Sequence, residues 1–133
     1  MRAIIKSVLC AAVVALTSLS AWADDVFIIV SSNVALDAAD VKDVFTGEKQ
    51  LADTVKLTPV DNTSLQADFL AKVIKVDANK YATLWTKKGF RDGVNPPLVK
   101  ASDAEVIAVV KGTPGKVGYV RKAPPDVKVI GKF

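Results

Sequence analysis

The sequence predicts an α/β protein: a small, mostly parallel sheet flanked by helices. Three observations carry this. Strand-like and helix-like stretches alternate along the chain, and no repeat of solenoid length interrupts them. Val26 to Val30 is a continuous apolar run rich in β-branched residues, as in a strand covered on both faces, which is more typical of a parallel sheet than of a half-exposed one. The stretch Lys56 to Val76 passes from an apolar run, Leu57 to Val60, through four polar residues into a helical pattern with Leu65, Phe69, Val73 and Val76 on one face.

The elements follow in order. Ser31-Ser32-Asn33 closes the first strand. Asp37 is placed to cap a helix through Phe45, with Val41, Val44 and Phe45 on its buried side and Gly47 as its stop. Glu48 to Val55 reads as a polar connection, and Leu57 to Val60 as the second strand. Asp77 starts a further helix reaching Gly89, with Tyr81, Leu84, Trp85 and Lys88 at helical spacing. Phe90 to Pro97 reads as a loop, given Gly93 and the Pro96-Pro97 pair. Leu98 to Ala101 is a short extended piece. Ser102-Asp103-Ala104-Glu105 has the spacing of a capping box, and the helix behind it ends at Gly112. Val117 to Val120 and Val127 to Ile130 are strands, the latter at an edge, separated by Pro124-Pro125.

The first residues belong to no fold. Arg2 and Lys6 precede an apolar stretch from Val8 to Leu19, and Ala21-Trp22-Ala23 is a small-x-small cleavage site. Residues 1–23 are therefore expected to be a cleaved secretory signal peptide, and residues 24–133 one periplasmic domain. Cys10 lies inside that leader without a lipobox before it, so the mature chain has no cysteine. The whole chain has no histidine. Disulfides, thiol or Ser-His catalysis and His-ligated metal are excluded together, and no enzyme, metal or cofactor is expected. Loss of Arg2 and Lys6 lowers the formal charge of +4 by two, leaving a mild excess spread along the chain that does not argue for nucleic acid.

In parallel α/β sheets, ligands lie beyond the carboxyl ends of the strands. Two such ends are polar here: Ser31-Ser32, and Asp61-Asn62-Thr63-Ser64. The second leads into a helix whose first turn has unbonded N–H groups and partial positive charge, a common anion site. The plainer alternative is that Asn62, Thr63 or Ser64 only caps that helix. If the two strands run the same way, both turns meet. Other motifs carry less. Gly112-Thr113-Pro114-Gly115-Lys116 is too short for a phosphate loop, and Pro114 lacks an N–H, so it is a helix stop and a turn. Tyr81, Trp85 and Phe90 are either a stacking platform or core residues.

The order of the pieces carries a resemblance. Val41-Lys42-Asp43-Val44-Phe45-Thr46-Gly47 is followed by Leu57 to Asp61, Phe69, Tyr81, Trp85 and Phe90-x-x-Gly93-x-x-Pro96-Pro97. Glu105-Val106-Ile107, Val110 and Thr113-Pro114-Gly115-Lys116-Val117-Gly118-Tyr119-Val120 come last. The series resembles the phosphate-binding, substrate-binding-protein-like family of ABC transporters, with the type 2 periplasmic-binding-protein fold, over nearly all of the mature chain. The resemblance implies a secreted, single-lobe binding protein. It would hold phosphate or a related oxyanion weakly at Asp61 to Ser64, together with Ser31 and Ser32, in ABC-type phosphate uptake or sensing. It also implies an ABC transporter membrane component or an envelope protein as partner, and makes a second copy a candidate for the missing lobe. The chain departs from the family in having no Arg and no Gly between Pro59 and Phe69. A lobe that keeps the fold without its ligand, as an envelope accessory protein, is the alternative.

Overall fold

The computed structural model describes residues 25–133, and the expected leader, residues 1–23, lies outside them. A central five-stranded sheet contains β1 (Phe27–Val30), β4 (Thr58–Asn62), β5 (Leu98–Lys100), β6 (Lys116–Val120) and β7 (Lys128–Lys132), in the order β5-β4-β6-β1-β7. A separate small hairpin joins β2 (Leu51–Ala52) to β3 (Val55–Lys56), within and just after the stretch expected to be a plain connection. The helices are α1 (Val41–Phe45), α2 (Gln66–Phe69), α3 (Ala78–Asp92) and α4 (Asp103–Gly112).

The sheet is mostly parallel in direction, as expected, but its antiparallel strand is β1. β4 is parallel to both β5 and β6, while β1 is antiparallel to both β6 and β7. The apolar run of β1 was expected to mean a parallel strand. Its burial follows from its place inside the sheet, with helices on both faces, and strand direction does not enter.

Alternation along the strands builds two cores. Ile28, Val30, Val117 and Tyr119 face α1, α2 and α3, where Phe45, Phe69 and Trp85 pack. Ile29, Val60 and Val120 face the other way, onto Val106 and Val110 of α4. This makes three layers, with the sheet in the middle.

Several local expectations hold. Asp37 caps the first helical segment, where a single 3₁₀ turn precedes α1, and its N–H donates to Asp40 at 3.1 Å. Asp77 caps α3, accepting from the Lys80 N–H at 2.7 Å. Ser102 caps α4, but the Glu105 carboxylate reaches back to the Ala101 N–H at 2.8 Å and not to that of Ser102. Two expectations change. α3 runs on to Asp92, so Phe90, Arg91 and Asp92 are helical and Gly93 (φ +66°) is the stop. Behind α2, the chain widens into a π-helical segment, Leu70–Ile74, ending at Lys75 in the left-handed region (φ 62°). Val76 therefore packs against the core from outside the helix.

Helix α3 is tied to the end of α1. The Trp85 indole N–H donates to the Phe45 carbonyl at 3.0 Å. The buried Lys88 ammonium reaches the Gly47 carbonyl at 3.3 Å and the Glu48 carboxylate at 3.0 Å. Its aliphatic stem lies in the interior while its charge meets acceptors at the rim.

Candidate functional site

The carboxyl ends of β4, β5 and β6 lie together because these three strands are parallel neighbours. This edge carries the turn after β4, the N-terminus of α4 and Arg121. The carboxyl end of β1 lies at the opposite edge, since Val30 pairs with Val117 at the start of β6 while Phe27 pairs with Val120. Ser31 and Ser32 are therefore not brought to Asp61 to Ser64, and the two polar turns do not meet. The Ser31 hydroxyl donates locally to Asn33 at 3.0 Å.

The four residues of the β4 turn divide by depth. Asp61 and Asn62 are buried; Thr63 and Ser64 are at the surface. Asn62 is a brace. Its amide nitrogen donates to Asp103 at 2.7 Å and to the Tyr119 carbonyl at 3.0 Å. Its oxygen accepts from the Ser64 N–H at 3.2 Å and the Ser64 hydroxyl at 2.6 Å, a side-chain-closed turn at the mouth of α2. The neighbouring amides are engaged too. Thr63 N–H donates to the Lys100 carbonyl at 2.9 Å, and Leu65 N–H to the Asn62 carbonyl at 3.0 Å. The capping alternative is not met: Leu65 stands at the N-cap of α2 and no side chain caps that helix, while Asn62 closes the turn before it.

Asp61 sits on the α3 side of the sheet. It accepts from the Tyr119 hydroxyl at 2.9 Å and from the Tyr81 hydroxyl at 3.0 and 3.2 Å. Burial raises its pKa above the ordinary carboxylate value; hydrogen bonds from Tyr119, Tyr81 and Gln66 pull it back in part. Both tyrosines are pushed well above their usual value, first by burial and then by the Asp61 charge.

The sign of this shift gives a test. A raised carboxyl pKa means that the folded state holds the proton more tightly than the unfolded chain. The Asp61 contribution is full below the ordinary aspartate value of 3.8 and is lost as pH rises through the raised folded value. In urea unfolding series, Asp61→Asn should therefore gain on the wild type as pH rises through that window. A difference that stays flat, or that moves the other way, would count against a buried, reluctantly charged Asp61.

An arginine reaches the turn from the strand end next to it. Arg121 follows β6; its guanidinium donates to the Ser64 hydroxyl at 3.1 Å and contacts the Ser64 carbonyl. It also pairs with Asp103 at 3.6 Å, and its N–H donates to the same carboxylate at 2.9 Å. The pairing bridges 57 positions of sequence, which is why no local pattern announced it. Asp103, Tyr81 and Tyr119 were missed as site residues for the same reason. Among the described residues, no group of three or more metal-ligating side chains converges.

No protein-family model matches the chain, and no curated protein sequence does. The structure is similar to that of an ABC-type phosphate transport receptor from Vibrio cholerae, with a TM-score of 0.54 at 16% identity. The match covers 79% of this chain but only 44% of the receptor, so the chain spans less than half of that protein. The fold is that of a single periplasmic-binding-protein-like lobe.

Proposed function

We propose that this protein is a secreted, periplasmic solute-binding-like protein that holds phosphate or a related oxyanion at the common carboxyl edge of β4 and β6, in ABC-type phosphate uptake or sensing. The observation that carries this is Arg121. It brings a guanidinium to Ser64, beside the N-terminus of α4, at the edge of a parallel sheet where ligands characteristically lie. An oxyanion there would take over guanidinium bonds now made to Ser64 and Asp103, with the Thr63 and Ser64 hydroxyls at hand. Asp61 and Asn62 would hold the turn from beneath without touching the ligand. A transporter membrane component or an envelope sensor is the partner class that this reading implies.

One observation favours a second reading. The Asp103 carboxylate already occupies the Arg121 N–H and pairs with its guanidinium, donors that an anion would use. A lobe satisfied internally in this way fits an envelope accessory protein that keeps the fold without the ligand.

Titration calorimetry with phosphate at low salt, alongside thermal unfolding, separates the two. Binding to the folded form alone raises the melting midpoint, and micromolar binding would amount to about 8 kcal/mol. Under the first reading, Arg121→Ala abolishes both signals. Neither heat nor a midpoint shift with millimolar phosphate or sulfate would establish the second.

A further inference from the structure

A second concave site lies on the α3 side of the sheet, away from Arg121. It is a groove of about 560 Å³, within the range of small-molecule sites. Its walls are Trp85 and Phe90 of α3, Pro96 and Pro97 of the loop before β5, and Val99 of β5; Asp61 and Tyr81 lie at its base. Phe90 and Val99 contribute little to the core, being 90% and 63% exposed. They give the groove an apolar rim in water.

The polar chemistry of the groove has one sign. Among the described residues, its ionisable lining groups are Asp61 and Tyr81, and no Lys or Arg lines it. Asp61 accepts hydrogen bonds from two tyrosyl hydroxyls and from Gln66. These three donors are neutral, so they bond the carboxylate without neutralising its charge, which a cation would do. An anion in this groove would meet a buried carboxylate with no compensating cation. A cation would gain a charge-assisted bond at the base and aromatic faces along the walls.

We propose that this groove binds a small aromatic or aliphatic molecule carrying a protonated amine, with the ammonium on Asp61 and the apolar body along Trp85, Phe90 and Pro97. This site shares Asp61 with the brace beneath the oxyanion edge but uses neither Arg121 nor Ser64, so Arg121→Ala and Phe90→Ala tell the two apart.

The test uses three probes of one shape: 2-phenylethylamine, 2-phenylethanol and phenylacetate. Each is titrated into the purified protein, with affinity measured by calorimetry and location by the NMR shift of the Trp85 indole N–H. The amine should bind about tenfold tighter than the alcohol, a difference of about 1.4 kcal/mol, and phenylacetate should not bind. Phe90→Ala should weaken the amine severalfold with an unchanged melting midpoint, since that ring is almost wholly in solvent. Asp61→Asn should bring the amine down to the level of the alcohol. Arg121→Ala should leave amine binding as it is. Equal affinity for all three probes, no binding of the amine at millimolar concentration, or an indole signal that does not move would each overturn the proposal. Because Phe90→Ala does not disturb the core, a failure of Asp61→Asn to fold would still leave a decisive arm.

Discussion

Gly115→Ala should destabilise the protein by about 3 kcal/mol or more, a large share of the roughly 5–15 kcal/mol that holds a domain of this kind together. Gly115 lies just before β6 with φ +93°, and a Cβ there would stand 2.1 Å from the backbone carbonyl oxygen of Lys56. The obstacle is main chain, so no rotamer change relieves it. The Gly115 carbonyl also accepts from the Thr58 N–H at 2.8 Å, next to the first β4–β6 pair, Thr58 with Lys116. Moving the two chains apart would break that bond and open the sheet beside its two most central parallel strands. Gly93→Ala is the control. It too has positive φ (+66°), but nothing lies within 4 Å of its added Cβ. It should cost only the left-handed conformation, about 1–2 kcal/mol. Urea unfolding of both variants checks the contrast; equal losses would mean that the approach to Lys56 is not the cause.

Phe69→Ala should cost about 3–5 kcal/mol, the range for deleting a fully buried aromatic ring. Phe69 is 0% exposed. Its ring stacks on Tyr119 with centroids 3.9 Å apart and planes 8° from parallel, and meets Phe45 edge-on at 4.6 Å. Tyr119 is the residue that carries a hydroxyl to Asp61. Removing its stacking partner should therefore loosen the Asp61 cluster as well as leave a cavity. Phe69→Leu, which refills part of the space, should recover part of the loss. A midpoint in urea that falls with an unchanged slope would report lost stability with the same folded and unfolded extents. A loss below about 1 kcal/mol would show that the core collapses around the gap.

Both residues sit in segments that the resemblance had singled out, and the structure gives the physical content. In Pro114-Gly115-Lys116-Val117-Gly118-Tyr119, Gly115 lets β6 enter the sheet beside Lys56. At Gly118 a side chain would collide with Val106 of α4, 2.5 Å from its Cβ. Tyr119 spans the core to reach Asp61.

What the sequence determined by itself was local. Apolar periodicity marked the strands of the central sheet, though not the β2–β3 hairpin, and the buried sides of the helices. Asp37, Asp77 and Ser102 marked helix starts, because a cap is chemistry within a few residues of the backbone it serves. The end of α3 was misjudged because Gly89 looked like a stop. A glycine inside a helix costs only about 1 kcal/mol, which tertiary contacts readily override. Pairing was decided only by the tertiary structure. A strand covered on both faces reads the same whether its neighbours run with it or against it, so nothing in Phe27 to Val30 revealed that β1 is antiparallel. That one direction placed Ser31 and Ser32 at the far edge from Asp61. Arg121 reached Ser64, and Tyr81 and Tyr119 reached Asp61, by the same means: the order of strands in the sheet and the packing of α3 against it. Each of these bonds joins residues at least 20 positions apart. Contacts that distant are fixed by topology, and local pattern carries no information about them.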